Sequence, residues 1–204
     1  MSAFNQFLLL SFFLFTTFFG VGNTLNTTEN TIYFDIVHKD KIIGNLKATK
    51  ITKGENIYYQ SVTSIKTKII NEIDINYLYD VVYENDMLKK ANVIIDVNDK
   101  TYANILTIRK NDAYQITKND KKEMMVNDDI YFATILLYFK EPIEISKCYS
   151  EQDASFNTLS PMGNHSYKKV NSKNHENVYY YKNGILEEAE IDGGLVKFKL
   201  IAHE

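Results

Sequence analysis

The chain holds 204 residues, with 23 basic and 26 acidic side chains, a formal net charge of −3 and 45% apolar content. These values fit one globular domain and exclude wholesale disorder and a basic nucleic-acid binder. A single cysteine, Cys148, excludes an intramolecular disulfide framework and any Cys-rich zinc site.

Residues 1–28 carry no charged side chain, and residues 7–19 form an unbroken block dominated by Phe and Leu, followed by Gly20-Val21-Gly22. Such a block falls short of the ~20 residues needed to span a bilayer and matches the core of a secretory signal. The expectation is a signal peptide over 1–22, cleaved near Gly22, and a single β domain over 23–204 that reaches the periplasm or cell envelope. The leading stretch Ser2 to Gln6 lacks Lys and Arg. A retained membrane anchor is therefore the alternative, and membrane contact is expected only in that case.

Beyond the signal, apolar residues alternate with period two along nearly the whole chain, the mark of half-buried strands. Ile32, Phe34 and Ile36 share one face, then Ile42, Gly44, Leu46 and Ala48 after the turn His38-Lys39-Asp40. Lys53-Gly54-Glu55-Asn56 turns the chain into a strand from Ile57 to about Ile70. The clearest alternation is Ile73, Ile75, Tyr77, Tyr79, Val81 and Tyr83. Ala91, Val93, Ile95 and Val97 follow, then Tyr102, Leu106 and Ile108 beyond Asn98-Asp99-Lys100, and a short strand with Tyr114 and Ile116.

One stretch departs from this rule. Asn127-Asp128-Asp129 offers an N-cap, apolar residues recur at helical spacing from Ile130 to Phe139, and Pro142 ends the run. The spacing predicts one helix over roughly 128–139, packed on the sheet. Irregular structure is expected around 144–164. Asn183-Gly184, between Val178–Lys182 and Ile185–Ile191, is the strongest hairpin signal, because both residues tolerate the positive φ of a type I′ turn. Asp192-Gly193-Gly194 makes the next turn, and Val196, Phe198, Leu200 and Ala202 form the buried face of a final strand. The expected fold is mainly β: a single strongly curved antiparallel sheet or open barrel of about 11–12 strands with one helix.

Several short stretches recur in a familiar order: Tyr33-Phe34-Asp35-Ile36, Ile42-Ile43-Gly44, Leu137-Tyr138-Phe139-Lys140-Glu141-Pro142, Tyr149-Ser150-Glu151 and Tyr181-Lys182-Asn183-Gly184-Ile185. Their order and spacing over residues 30–204 resemble an uncharacterised family of exported Gram-negative bacterial proteins, one of the domains of unknown function. The resemblance implies localisation and fold and carries no activity. In outline the architecture is similar to the curved half-barrels of the periplasmic lipoprotein carriers LolA and LolB, where a helix lies in the concave face. That is an analogy of fold, which does not determine function.

Chemistry is thinly signalled. Cys148 with His165 or His175 would make a nucleophile and base, but Ser146-Lys147-Cys148-Tyr149 has no hydrolase context. The four histidines, His38, His165, His175 and His203, lack the close spacing of zinc ligands. Asp128-Asp129 and Glu187-Glu188-Ala189-Glu190 do not form a calcium loop. No catalytic residues, metal ligands or cofactors are assigned. Glu141, before Pro142, places negative charge where a helix would end and calls for water or a cationic partner, which Arg109 or a lysine would supply. The tyrosines present an apolar body with a polar tip, suited to a core or to a cavity wall. Tyr77, Tyr79, Tyr138, Glu141 and Arg109 are the candidate ligand-binding residues. The expected function is non-enzymatic binding of an apolar or amphipathic ligand, or of an envelope protein. A hydrolase using carboxylates or Cys148, and a structural or assembly protein without a small ligand, are the alternatives.

Overall fold

The computed structural model describes residues 27–68, 72–193 and 197–203. The expected signal over 1–22 lies outside the described residues, as do Ile70, Gly194 and Val196.

The first eight strands are β1 (Thr27–His38), β2 (Lys41–Lys53), β3 (Asn56–Lys68), β4 (Glu72–Glu84), β5 (Met87–Val97), β6 (Lys100–Lys110), β7 (Ala113–Lys118) and β8 (Lys121–Val126). Six more follow: β9 (Lys147–Ser150), β10 (Ser155–Gly163), β11 (Ser166–Val170), β12 (Glu176–Lys182), β13 (Ile185–Asp192) and β14 (Lys197–Ala202). They form one antiparallel sheet ordered β8-β7-β6-β5-β4-β3-β2-β1-β14-β13-β12-β11-β10-β9. Every pairing joins sequence neighbours except at one seam, where β1 meets β14 through Phe34↔Ala202 to Val37↔Lys199.

The turns explain this meander. Positive φ falls on both residues of Lys39-Asp40, Asn85-Asp86, Asn98-Asp99, Asn119-Asp120, Asn164-His165 and Asn183-Gly184. Two-residue loops of this kind match the right-handed twist of the strands they join. Asn and Asp tolerate the left-handed region because their short side chains bond locally.

The sheet curls strongly. β6 and β9 lie eleven places apart in the strand order, about 53 Å along a flat sheet at ~4.8 Å per strand. Yet Thr107 Oγ1 of β6 and Tyr149 Oη of β9 are 2.9 Å apart. Both ends of the sheet therefore bend around a shared interior, which holds Phe34, Ile36, Leu46, Val81, Val93, Ile105, Tyr149, Tyr179 and Leu200. The sheet is open: β8 and β9 are its two edges and do not pair with one another.

Residues 127–146 span the gap between those edges as a strap. Leu88 N–H donates to Ile130 O at 2.9 Å, and Tyr149 N–H donates to Phe132 O at 2.8 Å, with a parallel bridge from Ala133 to Tyr149. Backbone groups of the β9 edge that would face solvent are thus partly covered. Tyr181 Oη, from β12, donates to Leu137 O at 2.8 Å and holds the strap from the opposite wall.

The helix expected over 128–139 is not there. The strap carries only a single 3-10 turn, Thr134–Tyr138, and Ala133 rather than Asp128 or Asp129 precedes it. Asp129 is instead paired with Arg109 at 3.4 Å. The apolar spacing misleads because the strap is enclosed by the sheet. Ile130, Phe132, Ala133, Ile135, Leu136 and Leu137 are all buried, whichever way they point. Each larger apolar side chain gains about 1.5–3 kcal/mol by burial, more than helical periodicity contributes to a segment this short.

Other corrections concern strands. Among the described residues there are 14 rather than 11 or 12, and β9, β10 and β11 occupy much of the region expected to be irregular. Ile42 faces solvent instead of joining Gly44 and Leu46. A bulge between Ile36 and Val37 matches Val37 to Ile42 and leaves Ile43 extra, which reverses the facing. In β6 the inward residues are Ala103, Ile105 and Thr107, whereas Tyr102 is exposed. A second bulge, between Ile95 and Asp96, sets that register. The Asn183-Gly184 hairpin forms as expected, with Lys182 opposite Ile185.

Candidate ligand-binding site

The curled sheet leaves a cleft of about 240 Å³ beside the strap. Its walls come from both halves of the sheet: Tyr77 and Tyr79 from β4, Asn157 from β10, Lys169 from β11, Tyr179 from β12, and Phe198 and Leu200 from β14. Thr134 and Tyr138 of the strap close one side. Alternation aims these side chains inward. Leu159 pairs with Lys169, and Lys169 with Asn177, so they share one row of the concave face. Asn157 stands diagonally next to Lys169 on the same face.

A polar cluster lies at the strap side of the cleft. Lys169 is only 6% exposed, and its ammonium donates to Thr134 Oγ1 at 3.0 Å. Thr134 in turn donates its hydroxyl to Tyr149 O at 3.3 Å. Glu151, 1% exposed, accepts from Thr134 N–H and Ile135 N–H, each at 3.1 Å. The first two amides of the 3-10 turn are thereby satisfied by a side chain seventeen and sixteen residues away. Burial pushes the Glu151 carboxyl above the usual carboxylate range, against the opposing pull of backbone donors and Lys169.

Lys169 is the unusual member. Lysine is almost never buried unless paired, yet among the described residues no carboxylate lies within ion-pair distance of it. Asn157, 3% exposed, lines the same cleft, and among the described residues its Oδ1 has no hydrogen-bond partner. Native interiors rarely leave such atoms unsatisfied. The rim carboxylates are already engaged: Asp153 accepts from Ser150 Oγ at 3.1 Å, and Asp192 lies 3.3 Å from the Lys197 ammonium.

Tyr77, Tyr79 and Tyr138, named from the sequence, meet in this cleft. Tyr79 Oη donates to Gln152 Oε1 at 3.0 Å. Burial holds the Tyr138 and Tyr179 phenols above their ordinary range, so both remain neutral walls at physiological pH.

The other two candidates lie outside the cleft. Arg109 contacts Met87 Sδ and Asp129 at the β6 side of the sheet. Glu141 accepts from Tyr167 Oη at 2.8 Å and bonds His165 Nδ1 at 2.9 Å, so its partners are a tyrosine and a histidine rather than Arg109 or a lysine. Burial raises the Glu141 carboxyl, but the two hydrogen bonds outweigh it and the net shift is downward. Its backbone N–H reaches Gly184 O, so Glu141 fastens the strap to the β12–β13 turn and to β11.

Cys148 is fully buried, and burial pushes its thiol up to about 12. Its polar neighbours are Tyr149 O at 3.8 Å, to which the thiol donates, and Thr134 Oγ1 at 3.9 Å. His165 and His175 are engaged with Glu141 and Asp192, so no Cys–His pair is assembled. Among the described residues, no group of three or more His, Cys, Asp or Glu is placed to hold a metal ion.

A family model described as a domain of unknown function, DUF6134, matches residues 34–203. The chain belongs to the DUF6134 family. The order of motifs over residues 30–204 thus did point to a family without an assigned activity. Among solved structures, the DUF6134 chain is similar to a β-barrel-like protein of the DUF1849 family from Brucella abortus. Identity is 9% and the TM-score 0.48, over 88% of this chain and 96% of that one. No curated protein matches this sequence.

Sequence reasoning missed Lys169, Asn157, Thr134 and Glu151. Tyr149-Ser150-Glu151 stood among the recurring motifs, but nothing local marks its glutamate as buried. Lys168-Lys169 reads as a small basic patch; only the strand register separates an outward Lys168 from an inward Lys169.

Proposed function

We propose that this protein is exported and serves as a non-enzymatic binding protein for a small amphipathic ligand, held between the strap and the concave face of the sheet. The carrying observation is a sheltered cleft whose aromatic walls surround an unpaired buried lysine and an unpartnered asparagine oxygen. A protein gains nothing in stability from such groups, because burying a charge or an acceptor without a partner is unfavourable. A ligand that supplies the missing partners would account for them. The uncharged, Phe-rich segment before Thr28 supports export.

The volume bounds the ligand. About 240 Å³ is below the ~300–1,000 Å³ of drug-sized sites. A compact molecule fits better than a long acyl chain. The buried, high-pKa Cys148 and the absence of a Cys–His contact argue against the cysteine hydrolase alternative.

Native mass spectrometry tests this reading. The full chain is expressed with its leader, and the processed protein is purified gently from the bacterial envelope. A reproducible extra mass, lost on denaturation, is the expected result. A bare mass in every preparation would overturn it and favour a structural or assembly role.

A further inference from the structure

We infer that the cleft selects a small organic monocarboxylate that also carries a hydroxyl or N–H donor, its carboxylate engaging Lys169 and its donor engaging Asn157 Oδ1. This rests on the proposed binding function and specifies the ligand class.

The charge argument begins with what surrounds Lys169. An ammonium carries three donors, and among the described residues it makes one hydrogen bond, to Thr134 Oγ1. Glu151 does not neutralise it at short range: the carboxylate oxygens are taken by Thr134 N–H and Ile135 N–H, and no ion pair to Lys169 forms. The deepest cation of the cleft is therefore held in place by the strap with donors to spare. A carboxylate on those donors forms a charge-assisted hydrogen bond in a sheltered setting, where it is stronger than in water.

The same surroundings disfavour phosphate and other polyanions. Sites for these groups gather arginines, glycine-rich loops or free helix amides. The chain's sole arginine, Arg109, lies away from the cleft, and the leading amides of the strap turn are already used by Glu151. Lys173 and His175 also line the cleft, but Lys173 is exposed to solvent and His175 lies 3.6 Å from Asp192, so the one buried cation matches one negative charge.

Asn157 adds the second requirement. Its Oδ1 is an acceptor without a donor, and Asn157 and Lys169 are diagonal neighbours across β10 and β11, with backbones about 7–8 Å apart. A hydroxyl or N–H a few atoms from the carboxylate spans that interval. The remaining walls, Tyr138, Tyr179, Phe198 and Leu200, suit an aryl or short alkyl body.

Calorimetric titration of the ligand-stripped protein tests this with matched pairs: 4-hydroxyphenylacetate, phenylacetate, 3-hydroxyhexanoate and hexanoate, each against its primary amide. At least one acid is expected to bind tenfold or more tightly than its amide, and the hydroxylated acids more tightly than their parents. Lys169→Met is expected to abolish the acid-over-amide preference, and Asn157→Leu the preference for the hydroxyl. Lys169→Met keeps the apolar stem of the side chain and gives up the attraction to buried Glu151, so its urea transition should shift at most modestly and stay as cooperative as that of wild type. That readout separates a binding defect from misfolding. Amides binding as well as acids, or a Lys169→Met protein that still prefers acids, overturns the carboxylate inference. If no probe binds while native mass spectrometry still shows a bound mass, the ligand class is wrong and the binding function stands. If no probe binds and the mass is bare, both fall.

Discussion

The bond between Thr107 and Tyr149 offers a direct test of how far the sheet curls. Both residues are buried, and their hydroxyls meet at 2.9 Å although their strands sit near opposite ends of the sheet. Tyr149→Phe removes one partner and leaves Thr107 Oγ1 without a bond in the interior, a loss of about 1–3 kcal/mol. Thr107→Val does the converse and should lose a similar amount. The double variant leaves neither group stranded, so its loss should fall well below the sum, with a coupling of about 1–2 kcal/mol. Urea titrations at constant slope supply the four stabilities. Additivity within about 0.5 kcal/mol would refute the reasoning, because residues in contact couple and distant ones do not. It would mean that β6 and β9 do not meet in solution.

Three further outcomes follow from the geometry. A Cβ at position 44 would lie 2.0 Å from Ser64 O, a backbone atom that cannot rotate away. Gly44→Ala should therefore destabilise by about 3 kcal/mol and lower the Tm by roughly 6–12 °C, read by calorimetry; an unchanged Tm would contradict the close approach of β2 and β3. With its thiol pushed up to about 12 and fully buried, Cys148 should react with an aromatic disulfide reagent at least about a hundredfold more slowly in native protein than in urea. Labelling at comparable rates would show that the strap opens freely. Glu151 holds its proton more tightly in the folded chain than at the ordinary value of 4.5. Its stabilising contribution is full below that value and is lost as pH rises through the raised folded one. Wild type should thus lose stability relative to Glu151→Gln on going from about pH 4 to about pH 8, measured by urea midpoints; the opposite trend would mean that Glu151 is a stabilised anion.

The strands were legible where chemistry repeats at short range. Asn183-Gly184 and the alternation from Ile73 to Tyr83 depend only on local backbone preferences and on facing, and both are realised. Facing was misread at Ile42 because a bulge adds one residue, a displacement that periodicity does not record; Tyr102, Leu106 and Ile108 share a face, but Ala103, Ile105 and Thr107 are the buried set. The strap was misread for a different reason. Its apolar residues are buried from several directions, so their spacing carries no helical information. In the cleft, tyrosines were recognisable as wall material from their chemistry. Lys169 and Asn157 were not, because each is set by pairing between β10, β11 and β12, and a polar residue buried by register looks like any surface residue in the sequence.

The seam between β1 and β14 has a consequence for the order of assembly. Asp35 and His203, bonded at 2.9 Å, are 168 residues apart in the chain, whereas every other strand pair is a local hairpin. The two arms of the meander can wind independently, but β1 keeps an open edge until the final strand arrives. At ~5–20 residues per second of synthesis that wait is roughly 8–34 s. Slow, non-local pairing of this kind exposes an edge to mispairing and would favour keeping the chain unfolded until it is complete. The cleft draws Tyr77 and Tyr79 from one arm and Lys169 and Tyr179 from the other. It comes into being only when the seam closes, so occupancy of the cleft would report that the last strand has found the first.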